Sequence, residues 1–111
     1  MNSRTIKLLL ISLGMVLSFT ASAQTTHIYE GMSNSNFHAH VTYLNNGGIR
    51  VGWFKLKPQV KRIGGWSCSR DGNALNCKEP NGITQHIYLS GNGQFLSGLA
   101  QRFKLIKKVK K

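Results

Sequence analysis

Apolar and polar side chains alternate through much of the chain after residue 36. In Phe37–Leu44, FHAHVTYL, an apolar residue stands at every second position, and Ile49–Lys57 forms a similar run after the turn Asn-Asn-Gly-Gly. A period of two predicts a strand with one buried face, and Asn-Gly between two such runs predicts a β-hairpin. Ile83–Leu89 alternates in the same way before Ser-Gly-Asn-Gly. The pattern predicts an all-β domain, a small antiparallel β-sandwich or barrel built from hairpins.

The stretch CSRDGNALNC contains the two cysteines and lies between strand-like runs at residues 65–70 and 74–78. With Asp71-Gly72 as the hairpin loop, Cys68 and Cys77 would lie diagonally, about 7–8 Å apart, near or beyond the limit for a disulfide. A Gly72-Asn73 loop has glycine first, as a type II′ turn requires. It places the cysteines directly opposite, with Cα atoms about 4.5 Å apart. The sequence therefore predicts one disulfide across this hairpin, and the C-x8-C spacing fits none of the common zinc patterns.

The C-terminal segment fits two structures. Leu96, Leu99 and Phe103 have the spacing of one face of a short amphipathic helix, whereas alternate residues from Leu99 to Leu105 fit a strand. The stretches YLNNGG and YLSGNG, each followed by a Phe-Lys-Leu run, favour the strand, and the helix stays open as an alternative. We expect Lys107–Lys111 to be a frayed basic tail whose removal leaves the fold intact.

The first 23 residues have the order of a secretory signal peptide. A short positive leader with Arg4 and Lys7 precedes the apolar segment Leu8–Phe19, and Ala-Ser-Ala ends at position 23. This apolar segment is shorter than the roughly 20 residues of a membrane span. We expect residues 1–23 to be the signal peptide, residues 24–106 a single small β domain and residues 107–111 the basic tail. The mature protein would be secreted or periplasmic, where disulfides persist.

The hairpin that contains Cys68 and Cys77, called the stapled hairpin below, resembles part of a known family. GGWSCSRDGNALNC at Gly64–Cys77, with GITQHIYL at Gly82–Leu89, resembles the end of the immunoglobulin-like repeat modules of bacterial surface adhesins. Those modules often have a Trp-x-Cys strand, a turn with glycine, a return strand with cysteine, and then a strand that alternates Ile or Leu with Thr. The resemblance covers the Trp66–Leu89 region, implies a sandwich fold and binding rather than catalysis, and transfers no functional residue.

Positive charge is the clearest functional signal. Without Arg4 and Lys7 the chain keeps 13 lysines and arginines against three carboxylates, a net charge of +10. A field of this sign attracts polyanions. The predicted anion-binding residues form two clusters in the sequence: Lys55, Lys57, Lys61 and Arg62, and then Arg102, Lys104, Lys107, Lys108, Lys110 and Lys111. The C-terminal cluster is predicted to carry most of the affinity.

The sequence contains few of the residue groups and motifs that enzyme active sites use. The three carboxylates are scattered, both cysteines are assigned to the disulfide, and no short catalytic motif occurs. His38 and His40 share one strand face, which is half of a metal site, yet we expect no tight zinc or copper binding. We predict no catalytic residues, no cofactor and no metal.

Together these observations predict a small, non-catalytic binding protein. Its basic surface would engage anionic lipid, lipopolysaccharide, a cell-wall polymer or an acidic protein; export argues against nucleic acid. One alternative is a membrane-active cationic protein whose segment Phe95–Lys111 folds as an amphipathic helix. Another is an inhibitor or immunity protein against an envelope-targeted enzyme.

Overall fold

The computed structural model describes residues 24–110, and the predicted signal peptide lies outside these residues. Eight antiparallel strands form one closed barrel in which each strand pairs with its neighbours in the chain and the last pairs with the first. The described residues contain no helix. The strands are β1 (Thr25–Gly31), β2 (Phe37–Tyr43), β3 (Ile49–Lys55), β4 (Lys61–Asp71), β5 (Ala74–Lys78), β6 (Thr84–Ser90), β7 (Phe95–Gly98) and β8 (Gln101–Lys110).

The alternation seen in the sequence becomes the inner and outer faces of the barrel. In β2, Ala39 and Val41 are fully buried while the histidines between them lie on the outer face. Pairing of β8 with β1 closes the sheet, so the strands form one barrel and not two packed sheets. Closure gives every strand two hydrogen-bonded neighbours and removes exposed sheet edges.

Aromatic side chains fill the centre of the barrel. The Trp53 and Trp66 rings lie 5.0 Å apart in an edge-to-face arrangement, and Phe103 packs 5.6 Å from Trp53. Trp53 is 2 % exposed and Phe103 is fully buried. The remaining core is aliphatic apart from Tyr29 and Cys77. Both tryptophans are therefore core residues.

The stapled hairpin has the predicted register. Asp71 pairs with Ala74, Arg70 with Leu75, and Cys68 with Cys77. The two cysteines form a disulfide with their Cα atoms 4.0 Å apart. Gly72 has a φ of 63°, which the first loop position of a type II′ turn requires. The predicted disulfide and its turn are confirmed in the structure.

The C-terminal segment is a hairpin, so the strand alternative is confirmed and the amphipathic helix is wrong. β7 turns through Leu99 and Ala100 into β8, which continues to Lys110. The structure also differs from the expectation of a frayed tail for Lys107–Lys110. Lys107 pairs with Ile28 and Lys110 with Thr25. The reason is that β1 needs a partner on its second edge. The backbone of β8 supplies it, while all four lysine side chains of β8 reach solvent.

Two β-bulges interrupt the regular pairing. In β4, Gly64 pairs with Trp53 and Arg62 with Phe54, which leaves Ile63 as the extra residue. In β8 the same shift leaves Ile106 unpaired opposite β1. A bulge redirects the side chains that follow it to the other face. Each bulge lies near one end of the barrel and determines which side chains that end presents.

The two ends differ in the connections that form them. The mouth end contains the turns β2–β3, β4–β5 and β6–β7, together with the start of β1 and the end of β8. The distal end contains the loops β1–β2, β3–β4 and β5–β6 and the β7–β8 turn.

Candidate anion-binding site at the barrel mouth

A cavity of about 520 Å³ opens at the mouth end. This volume lies within the usual range of small-ligand sites. The lining residues come from five strands and two turns: Thr25, His27, Tyr43, Arg70, Asn73, Leu89, Asn92, Gly93 and Lys108. Polar and cationic groups surround the opening, while Leu89, 5 % exposed, belongs to the core. We call this cavity the mouth site.

The bulge at Ile106 places Lys108 in the mouth site. Leu105 pairs with Tyr29 on the inner face, so uninterrupted alternation would turn Lys107 inward. The extra residue shifts the register, and Lys108 pairs with His27. Directly paired residues share a face of the sheet, so Lys108 joins His27 at the opening.

Arg70 enters the site from the stapled hairpin. It pairs with the fully buried Leu75, which puts it on the inner face one step above the core. Its Nε donates a hydrogen bond of 2.8 Å to the carbonyl oxygen of Gly72 in the adjoining turn. This contact orients the guanidinium and uses only one of its five N–H groups, leaving the terminal nitrogens for a ligand.

Tyr29 supports the β6–β7 turn that lines the mouth site. Its side chain is fully buried, and its hydroxyl donates a 2.7 Å hydrogen bond to the carbonyl oxygen of Gly93. Burial, with a smaller contribution from Tyr43, raises the pKa of Tyr29 to about 12. The phenol therefore stays neutral and fixes the β6–β7 turn against β1.

The remaining ionisable groups of the mouth are neutral at pH 7. Burial, followed by the charge of Lys108, holds the pKa of His27 below its ordinary value of 6.5. Burial raises the pKa of Tyr43, although the nearby Arg70 charge opposes this shift. The His27 and Tyr43 rings pack edge to face with centroids 5.0 Å apart. The mouth thus combines two cations with a neutral imidazole and a phenol hydroxyl.

This arrangement suits an anionic group. The residues lining the mouth include no Asp or Glu, so the positive charges of Arg70 and Lys108 are not balanced within the site. Arginine matches phosphate and carboxylate oxygens with paired N–H groups, and lysine adds a point charge. The Tyr43 hydroxyl and the Asn73 and Asn92 side chains could add neutral donors. A cation would be repelled.

The predicted basic residues do not gather on one surface. Lys55, Lys57 and Lys61 line a separate cavity of about 400 Å³ at the distal end. Arg62 lies flat on the outer face, where its Nε donates to the carbonyl oxygen of Gly64. The second cluster follows β8, and β1 and β2 separate it from β3.

Within the second cluster only Lys108 lines the mouth site. The guanidinium of Arg102 lies 4.2 Å from the centroid of the Phe95 ring, an outer-face cation–π contact. The lysines of β8, Lys108 included, are exposed: Lys104, Lys107, Lys108 and Lys110. Lys111 lies outside the described residues.

Sequence reasoning did not identify His27, Tyr43 and Arg70 as site residues. Arg70 had a signal, because the predicted hairpin register pairs it with Leu75 and so places it on the core face. His27 and Tyr43 had none, because their position depends on barrel closure and on the bulge at Ile106.

The paired histidines of β2 lie on the outer face. The His38 and His40 rings are 6.3 Å apart, and His40 packs 4.3 Å from the Phe54 ring. Burial and then the charge of His38 lower the pKa of His40. In residues 24–110, no three or more His, Cys, Asp or Glu side chains are grouped so as to hold a metal ion. The absence of tight zinc or copper binding stays a prediction, to be checked by calorimetric titration.

Comparisons with known proteins identify no relative from which a function could be inferred. No protein-family model, no curated protein and no solved structure matches the chain. In the described part of the chain, no helix has the length and apolar character needed to cross a membrane.

Proposed function

We propose that this protein is a small, exported, non-catalytic binding protein that holds an anionic group in the mouth of its barrel. The observation that supports this function is the meeting of Arg70 and Lys108, from strands distant in the chain, at one opening without a lining carboxylate. Export is supported by the predicted signal peptide and is compatible with the disulfide between Cys68 and Cys77.

The ligand class follows from the size and charge of the mouth. About 520 Å³ accommodates a phosphate or carboxylate together with a small organic group. Outside the cytoplasm, anionic components of the cell envelope carry such groups. The anionic group would lie between Arg70 and Lys108, with His27 and Tyr43 beside it and Leu89 below the attached organic part.

The shape of the site supports binding through a chain end or small headgroup. The mouth admits a group that enters at the end of the barrel, and its cavity of about 520 Å³ is larger than the outer-face cavity of about 310 Å³ that Arg50 and Arg62 line. An acidic side chain from a protein partner could enter in the same way, so an inhibitor or immunity function stays an alternative. The membrane-active alternative loses its structural basis, because it requires an amphipathic helix at Phe95–Lys111 and this segment forms β7 and β8 through Lys110.

The test is an NMR titration of the mature chain with inorganic phosphate, glycerol phosphate and glucuronate. Binding should shift the backbone signals of Asn73, Asn92 and Gly93, which surround the mouth. The double variant Arg70→Gln/Lys108→Gln should weaken binding about tenfold or more, because each charged hydrogen bond contributes about 1.5–3 kcal/mol.

The matched control is Lys55→Gln/Lys57→Gln, which removes the same charge at the distal end. It should change the affinity less than about twofold, since exposed charges beyond a Debye length of about 8 Å are screened at physiological salt. Equal losses of affinity in both double variants would show that binding depends only on the net charge of the protein and not on the mouth site. Signal changes confined to other surfaces, or none with any probe, would overturn the proposed function.

A further inference from the structure

Large apolar side chains are exposed mainly at the distal end, away from the mouth site. Val60 is 71 % exposed, Met32 56 %, Ile83 53 %, and Ile63 and Leu99 47 % each. Met32, Val60, Ile83 and Leu99 each lie on one of the four connections of that end, and Ile63 is the third residue of β4. Only two other large hydrophobic residues of the described chain, Tyr88 and Ile106, are comparably exposed. Single exposed apolar residues need no explanation, but a group collected at one end marks an interaction surface.

The backbone presents Ile63 through a β-bulge. Ile63 is the extra residue of β4, because its neighbours Arg62 and Gly64 pair with Phe54 and Trp53. Bulges are over-represented at barrel rims and beside functional sites, where they redirect a side chain. Here the redirected side chain is an isoleucine that is nearly half exposed.

The β7–β8 turn presents Leu99 in a strained conformation. Leu99 and Ala100 have φ angles of 50° and 59°, so the two-residue turn is of type I′. Asn-Gly is the favoured pair in such turns, since residues with a larger side chain disfavour positive φ. Local stability would favour asparagine at this exposed position. A leucine with little packing to compensate the strain points to a function for its apolar side chain.

These exposed apolar side chains lie next to a group of lysines at the distal end. Ile63 and Leu99 line one surface cavity of about 420 Å³ together with Trp66 and Pro80. Ile63 also lines the neighbouring cavity that contains Lys55, Lys57 and Lys61. The residues that line these two cavities include one carboxylate, Glu79, whose Oε2 accepts a 2.7 Å hydrogen bond from Gln85.

This combination matches the surface of an anionic membrane. Apolar side chains can enter the boundary between headgroups and acyl chains, and lysines beside them attract anionic headgroups. Met32, Val60 and Ile83 project singly from three separate connections and line neither of these two cavities. A fluid surface accommodates such separate projections.

We propose that the distal end docks on an anionic lipid surface, with Val60, Ile63 and Leu99 inserted and Lys55, Lys57 and Lys61 on the headgroups. The mouth then faces away from the membrane. This proposal does not depend on anion binding in the mouth, since it uses the opposite end of the barrel.

The test is co-sedimentation of the mature chain with phosphatidylglycerol–phosphatidylcholine vesicles and with pure phosphatidylcholine vesicles. The full chain should bind the anionic vesicles and bind the neutral ones more weakly. The variant Val60→Ser/Leu99→Asn should lose about fivefold or more in partitioning, because it removes apolar surface from the contact. Asparagine suits the φ of position 99, so the variant should keep its melting temperature.

The control variant Ile106→Ser/Tyr88→Ser removes the two other exposed hydrophobic side chains. It should change partitioning less than about twofold, since neither residue lies at the distal end.

A second pair of variants tests the lysines: Lys55→Gln/Lys57→Gln should lose more vesicle binding than Lys107→Gln/Lys110→Gln. No binding to anionic vesicles, equal losses in the two apolar pairs, or a larger loss in the β8 lysine pair would overturn the proposal. The last result would support the C-terminal lysines as the lipid-binding group instead. Unchanged vesicle binding by Arg70→Gln/Lys108→Gln would separate this surface from the mouth site.

Discussion

At the residue scale, the positive charge of the mouth site depends on the positions of a few side chains and not on a sequence motif. Arg70 is held by its own turn through the 2.8 Å hydrogen bond to Gly72. Lys108 is one of several C-terminal lysines and is the one that pairs directly with His27 and lines the mouth site. Their chemistry was visible in the sequence, but their meeting required the closed barrel.

The lowered histidine pKa values predict acid sensitivity. Burial lowers the pKa of both His27 and His40 below the ordinary value of 6.5. The unfolded chain therefore binds more protons as the pH falls below that value, and stability is lost in that direction. The melting temperature, followed by circular dichroism, should be lower at about pH 5 than at about pH 7.5. His27→Gln should reduce this difference, and a melting temperature that rises on acidification would contradict the assignment.

At the element scale, the stapled hairpin and the last strand show what the sequence could predict. The register around Gly72 followed from turn chemistry and disulfide geometry alone, both of which are local. The path of Lys107–Lys110 could not be predicted, because it depends on β1 lying beside β8. The bulges at Ile63 and Ile106 also lacked a local signal, since a bulge is defined by the partner strand.

Removing the disulfide should cost a moderate part of the stability. The variant Cys68→Ala/Cys77→Ala frees a short loop, and the chain-entropy model gives about 2.5–3 kcal/mol for the loss. Urea unfolding of this variant and of the oxidised protein measures the difference. The intact mass of the mature protein should be two hydrogens below that of the reduced form, and two alkylatable thiols would show that the bond is absent.

Shortening the chain to end at Ile106 should destabilise the barrel, contrary to the expectation from sequence. The truncation removes the residues of β8 that pair with Thr25–Ile28 and leaves that edge of β1 open. Each lost backbone hydrogen bond should cost about 1 kcal/mol. Chemical denaturation should show a lower free energy of unfolding than for a chain ending at Lys110, which keeps the pairs. Equal stability of the two chains would mean that the β1–β8 contact contributes little there.

At the scale of the whole molecule, the barrel separates two kinds of surface that the sequence presented as one basic surface. The mouth end joins Arg70 and Lys108 around a cavity, while the distal end combines lysines with exposed apolar side chains. The net charge of +10 for residues 24–111 attracts anions to both ends. What distinguishes the ends is the shape and polarity around the charges, which only the three-dimensional structure provides.

The most direct test of the central claim is the pKa of His27, measured by NMR of the imidazole signals with and without phosphate. Without ligand, burial and Lys108 hold this pKa below 6.5. An anion in the mouth would favour the charged imidazole, so the pKa of His27 should rise on binding, by about one unit. The pKa of His40, on the outer face beside His38 and Phe54, should not change and serves as the internal control. A rise confined to His27 is the predicted result; an unchanged His27 at saturating phosphate, or equal rises at both histidines, would contradict anion binding in the mouth.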